Sequence, residues 1–280
     1  MRPPNESRNQ GMNSATAFSP AVLTASAAIR SLRPAPVAAL VASLCGLNRR
    51  QPLPTAHGVF FISPVSDLGA HLLSEGEYEP QMRAVLEKFL SPGHLFIDAG
   101  ANEGYFSVVA SRLVGPRGMV IAIEPQTRLQ RVIQANFDLN GCENVKIIQA
   151  FISGQDGDTN IELAPETNSG ATSAYPQWKY KMPRESVRSC TLASFLAAAE
   201  IAHCDLMKVD VEGAEYEIFM NAGDVLRAGT ISNIAIEIHN SILYRRGLSG
   251  NDLHKLFLQC GYVLDNSLGV WVYRWRAGHI

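Results

Sequence analysis

From Gly58 onward, short continuous apolar runs alternate with longer stretches whose apolar positions recur every three or four residues. These are the signatures of buried strands and of amphipathic helices. Residues 59–62 read as a short strand, and 68–90 as one helix that stops at Ser91-Pro92-Gly93. Strands are then expected at 95–98, 119–123, 144–149, 205–209 and 233–238, with helices at 104–114, 126–140, 213–221 and 249–260. This alternation predicts an α/β fold built on a doubly wound, mostly parallel sheet covered on both faces. After Gly261, residues 262–264 and 270–273 flank Asn266-Ser267-Leu268-Gly269 and predict a C-terminal β-hairpin.

The rhythm lapses between 153 and 190, where turn formers surround β-prone pieces at 159–163 and 187–191, together with Tyr175, Trp178 and Tyr180. This segment reads as an insertion, which either shapes a substrate site beyond the strand ends or covers a sheet edge. Residues 1–57, rich in Ala, Ser, Pro and Arg, form an N-terminal extension expected to be partly disordered, with short helices near 21–31 and 36–47. Residues 58–280 form the domain proper.

Charge and cysteine usage narrow the function class. Residues 1–54 hold six Arg and one acid, whereas the remainder sets eighteen Lys/Arg against twenty-five Asp/Glu. An acidic body without interleaved aromatic and basic residues disfavours a nucleic-acid partner. No apolar run reaches membrane-spanning length. The five cysteines are scattered with no C-x-x-C pair, and no two histidines stand four apart on a helix. That pattern predicts reduced thiols, a cytoplasmic location and no dedicated metal motif.

Candidate chemistry begins at Leu95-Phe96-Ile97-Asp98-Ala99-Gly100-Ala101-Asn102-Glu103-Gly104. An apolar strand ends there in an acid and a glycine-spaced turn that opens into a helix, a nucleotide-handling turn. The spacing departs from the dinucleotide pattern G-x-G-x-x-G. An acid two residues before the first glycine repels phosphate and suits a ligand carrying an ammonium group, such as S-adenosylmethionine. Glu124 closes the next apolar strand, where a βαβ unit places the carboxylate that binds ribose hydroxyls. Asp98, Gly100, Asn102, Gly104 and Glu124 are therefore the candidate cofactor-binding residues.

A second acidic turn follows at Lys208-Val209-Asp210-Val211-Glu212-Gly213-Ala214-Glu215, and a third strand ends at Glu237-Ile238-His239. Parallel strands bring these groups to one rim of the sheet, and the period of two sets Glu237 and His239 on one face. Methyl transfer to a hydroxyl needs a group that accepts the hydroxyl proton. His239 is the candidate base, with Asp210 or Glu212 as alternatives and Glu237 beside them. The same acids suit a divalent cation that would lower the hydroxyl pKa. Ile234, Ile236 and Ile238 mark an interior strand, so Glu237 is expected to be buried, whereas Glu215 reads as a helix-dipole residue.

Over roughly residues 58–273 these motifs resemble the FkbM-type S-adenosylmethionine-dependent methyltransferases. The resemblance rests on Gly76-Glu77-Tyr78-Glu79-Pro80, the Asp98 to Gly104 turn, Glu124-Pro125 with Asn136 and Asn140, the Lys208 to Glu215 turn, and Glu237-Ile238-His239. It implies a Rossmann-like class I methyltransferase fold, with Glu124 on the cofactor ribose, and O-methylation of a polyketide, sugar or related small metabolite. Thr191-Leu192-Ala193-Ser194 departs from the family pattern, which commonly has an acidic pair there. The competing readings are a nicotinamide-dependent oxidoreductase and a non-catalytic cofactor-binding protein.

Overall fold

The computed structural model describes residues 18–32, 35–175 and 182–276. The expectations for Trp178 and Tyr180 lie outside these residues. Two helices, α1 (Pro20–Ser31) and α2 (Ala35–Leu44), precede a hairpin of β1 (Gln51–Thr55) and β2 (Gly58–Ile62). Then come α3 (Asp67–Ser74), α4 (Pro80–Phe89), β3 (Leu95–Ala99), α5 (Tyr105–Val114), β4 (Met119–Ile123), α6 (Thr127–Asn140) and β5 (Val145–Ile148). A second sheet follows, of β6 (Phe151–Ser153), β7 (Gly157–Glu162) and β8 (Arg184–Thr191), with a 3-10 segment at Glu166–Ala171. The chain continues through α7 (Leu192–Ala198), β9 (Leu206–Val209), α8 (Glu215–Met220), α9 (Gly223–Arg227), β10 (Asn233–Ile236), α10 (Asn240–Arg245) and α11 (Gly250–Gln259). It closes on β11 (Tyr262–Asp265) and β12 (Trp271–Trp275).

The central sheet runs β11-β12-β10-β9-β3-β4-β5, parallel from β5 to β10 and antiparallel at β12 and β11. Its strands are apolar because both faces are covered. Ile97, Ile121, Met207, Val209, Ile234 and Ile236 pack into one core, whereas Phe96, Val120, Ala122, Leu206 and Ala235 pack into the other. That split by alternate residues is the pleat itself. The strand order reverses between β3 and β9, so the crevice beyond their C-terminal ends is the topological switch point, where open α/β sheets bind ligands.

Several expectations need correction. The helix expected over 68–90 is two helices, broken at Glu75–Glu79, where Glu79 takes φ 43° ahead of Pro80. Beyond the short helices expected in the extension, β1 pairs with β2, and its Pro52 and Pro54 conceal the strand in the sequence because proline is an edge-strand residue. Strand β10 ends at Ile236, which leaves Glu237 beyond the sheet. The segment from 153 to 190 both builds the β6-β8-β7 sheet and sends its 3-10 turn over the switch point.

Asn136 and Asn140 act on the backbone of β2. Asn136 Oδ1 accepts from Phe61 N at 2.5 Å and its Nδ2 donates to Glu103 O, while Asn140 pairs with both backbone groups of Val59. These side chains satisfy the outer edge of the hairpin against α6.

Gly100 is where the turn depends on glycine. Its φ is +86°, and a Cβ there would lie 1.8 Å from the Asp210 carbonyl oxygen, so the turn after β3 touches the turn after β9. Gly100→Ala is expected to cost at least ~2 kcal/mol, through positive φ and a backbone clash together. Gly141→Ala, at φ +62° and ψ 35° with nothing within 4 Å, is expected to cost about 1 kcal/mol through backbone conformation alone. Urea denaturation of both variants tests the contrast, and equal losses would contradict it.

Candidate functional site

A cleft open to solvent lies at the switch point. Its wall includes Gly100, Asn102, Glu124, Asp210, Glu212, Glu237 and His239 from the candidate motifs. Asp67 enters from the start of α3, Tyr78 and Glu79 from the α3–α4 junction, and Asn168, Gly170 and Thr172 from the 3-10 turn and the residue after it. Among the described residues, six carboxylates line it (Asp67, Glu79, Glu124, Asp210, Glu212, Glu237) and no Lys or Arg. A pyrophosphate would find repulsion there, whereas a cationic ligand finds complementary charge.

Asp98 and Gly104 are not in that wall. Asp98 is fully buried behind it, accepting from Ser107 Oγ at 2.7 Å and facing the Lys208 ammonium at 3.8 Å. A lysine of the same sheet thus faces the carboxylate that sequence reasoning set toward a ligand ammonium. Gly104, at φ +82°, packs against Ile133 and Phe137, where it lets α5 approach α6.

Glu124 sits at the end of β4 and folds its carboxylate back onto two turns. Its Oε2 accepts from Asn102 N at 2.9 Å and its Oε1 from Gln126 N at 3.0 Å. Burial pushes the carboxyl up to about 7, against the opposing pull of those amides. The 3-10 turn is stitched above this corner: Ser169 Oγ donates to Asn102 Oδ1, Gln126 Nε2 to Ser169 O, and Ser173 Oγ to the Glu212 carbonyl.

The acidic rim converges on His239. Its Nδ1 bonds Glu215 Oε1 at 2.8 Å, while Nε2 faces Glu212 Oε2 at 3.4 Å, Asp210 Oδ1 at 3.8 Å and Glu237 Oε1 at 3.9 Å. Burial opposes the charged ring, but the bond to Glu215 and the charges of Glu215, Glu212 and Asp210 outweigh it and lift His239 to about 9. These carboxylates favour the protonated form of the ring, in which both nitrogens donate. Glu237 departs from expectation. Its side chain is 61% exposed at the mouth of the cleft, not buried in a strand.

Three of the four non-glycine residues with positive φ among the described residues, Glu79 (43°), Asn102 (48°) and Glu212 (51°), line this one cleft. Strained backbone gathers at sites whose geometry the surroundings enforce. Sequence reasoning missed four contributors. Tyr78 and Glu79 lie in the Gly76–Pro80 motif without an assigned role, Glu215 is a fully buried partner of His239, and Lys208 bonds Asp210 Oδ2 at 3.2 Å. The signal for Lys208 was legible: a lysine in the middle of an apolar strand needs a buried counter-charge.

A family model described as the methyltransferase FkbM domain matches residues 98–264, more than half of the chain. The chain belongs to that family. Among curated proteins it is similar to Methyltransferase sdnD of Sordaria araneosa, 28% identical over 176 residues that cover 52% of this chain and 67% of the relative. It is also similar to Methyltransferase 1 of Beauveria bassiana (strain ARSEF 2860), 23% identical over 163 residues, covering 52% and 64%. The chain thus spans about two thirds of the length of these relatives. Among solved structures, the methyltransferase FkbM of Methylobacillus flagellatus KT is 14% identical, with a TM-score of 0.43, covering 90% of this chain and 58% of that one.

Enzymes of the FkbM family draw their methyl group from S-adenosylmethionine, and the cleft fits that group: its described wall, rich in carboxylates, suits the sulfonium and ammonium charges. No helix among the described residues is long and apolar enough to cross a membrane.

The Glu124 carboxyl makes the ligand-free domain sensitive to pH. Its ordinary value is 4.5 and its folded value about 7, so the folded form holds a proton that the unfolded chain has lost. The stability this contributes is present below pH 4.5 and lost as pH rises through about 7, on the order of 3 kcal/mol. Glu124→Gln is expected to remove that part of the pH slope. Urea midpoints of both proteins at pH 4.5 and pH 8 check this, and identical slopes would contradict it.

Proposed function

We propose that this cleft transfers a methyl group from S-adenosylmethionine to a hydroxyl of a small metabolite, sugar or polyketide. The observation that carries the reading is the placement of four ionisable rim groups, Asp210, Glu212, Glu237 and His239, in the same acidic cleft as the Gly100–Asn102 turn and Glu124. Gly100 and Asn102 would hold the cofactor at the turn, and the remaining lone pairs of Glu124 would accept from its ribose hydroxyls. Asp98 acts from behind through Lys208, and Gly104 by seating α5.

When bound, the cofactor supplies an electrophilic methyl carbon on a positively charged sulfur. The acceptor oxygen would receive that methyl group, with a neutral thioether as the leaving group. His239, clamped by Glu215 and facing the rim carboxylates, is an orienting group. The hydroxyl proton goes to Glu237, which is the most exposed of these carboxylates and passes it to water. Asp210 and Glu212 position the acceptor between them.

The test is transfer of labelled methyl from S-adenosylmethionine to a panel of hydroxylated metabolites and glycosides. Label is expected in an ether product. Glu237→Gln is expected to lower kcat about 100-fold with cofactor affinity unchanged, whereas Glu124→Ala weakens cofactor binding tenfold or more at about 1.4 kcal/mol per tenfold. Full turnover by Glu237→Gln would remove it as proton acceptor. Unchanged affinity in Glu124→Ala would place the ribose elsewhere.

A further inference from the structure

We propose that Asp210, Glu212 and His239 form a divalent-cation site at the mouth of the cleft, with Glu215 fixing the histidine from behind. One ligand atom from each of the three lies within 4.8 Å of the others, with His239 Nε2 3.4 Å from Glu212 Oε2 and 3.8 Å from Asp210 Oδ1. Donors about 2.1 Å from a common ion stand roughly 3.0–3.5 Å apart, so small side-chain adjustments bring this set to bonding distance.

Each donor is presented by a different constraint. Lys208 takes Asp210 Oδ2, which turns Oδ1 toward the histidine. Glu212 is aimed by a left-handed backbone with φ 51°, and its carbonyl is held by Ser173 Oγ at 2.6 Å. The strongest indication is Glu215. It is fully buried, its Oε1 meets both His239 Nδ1 and Gly213 N, and its Oε2 has no hydrogen-bond partner among the described residues. A buried carboxylate on the far nitrogen of an imidazole is the arrangement that fixes ring orientation and raises ligand basicity in metal sites. It leaves Nε2 to face the two carboxylates, and a bound ion replaces the Nε2 proton.

Two carboxylates and one imidazole, with the remaining positions open to the cleft, suit a hard or borderline ion of the Mg²⁺ or Mn²⁺ class. This rests on the methyl-transfer reading in one respect: the open positions would receive the acceptor hydroxyl and lower its pKa, with Glu237 taking the proton. The cation site itself is independent of that role.

Mn²⁺ titration of the metal-stripped full chain, followed by calorimetry and electron paramagnetic resonance, tests the proposal. The wild type is expected to bind one equivalent and to show nitrogen modulation from a coordinated imidazole. Asp210→Asn and Glu212→Gln are each expected to weaken binding tenfold or more, and His239→Gln also to remove the nitrogen signal. Glu215→Gln is expected to weaken binding with the nitrogen signal retained, and the exposed-surface variant Asp224→Asn to leave it unchanged. S-adenosylmethionine affinity of each variant reports independently that the fold and the cofactor reading survive. A wild type that binds S-adenosylmethionine but no Mn²⁺, or Mn²⁺ binding undiminished in the Asp210 and Glu212 variants, would overturn the site and leave the methyl-transfer reading standing.

Discussion

The Lys208 ammonium, buried between Asp98 and Asp210, is the interaction on which the site depends. Asp98 and Lys208 are direct partners in the β3–β9 ladder, so their side chains leave the sheet on the same face, and Asp210 follows two residues later at the strand end. Burial pulls the lysine pKa down, but Asp210, Asp98 and Glu79 outweigh it and hold the ammonium above its ordinary value. Removing one member of such a set leaves an uncompensated buried charge at a typical cost of about 3–5 kcal/mol. The two strands that flank the switch point are thereby tied by charge as well as by backbone bonds.

That tie sets what lies above it. Gly100 rests on the Asp210 carbonyl, so the turn after β3 and the acidic turn after β9 form one surface. Asn102 and Glu212 take left-handed backbone on either side of it, and the 3-10 turn bonds to both through Ser169 and Ser173. Glu124 accepts from the backbone of Asn102 across the next strand. The site is thus a set of short turns, each held by the next, over strands tied by the Asp98–Lys208–Asp210 set.

Much of this was legible in the sequence because apolar strands ending in an acid and a glycine report their own orientation. The parallel core, the terminal hairpin and the convergence of Glu124, Asp210, Glu212, Glu237 and His239 on one rim all follow from periodicity and the direction of parallel strands. What escaped depends on tertiary partners. Asp98 reads as a ligand group until Lys208 is seen beside it, and Glu215 reads as a helix-dipole residue until His239 folds onto it. Periodicity runs through the break at Glu75–Glu79, since the apolar positions of α3 and α4 continue in phase while the backbone turns at Glu79. Family resemblance and residue chemistry agree on the methyl donor, and neither specifies the acceptor.

The most direct measurement is calorimetric titration of the purified chain with S-adenosylmethionine and, separately, with NADH. A cleft whose described wall carries six carboxylates and no Lys or Arg predicts saturable one-site binding of S-adenosylmethionine and no response to NADH. Binding of NADH without S-adenosylmethionine would contradict the account from its first motif onward.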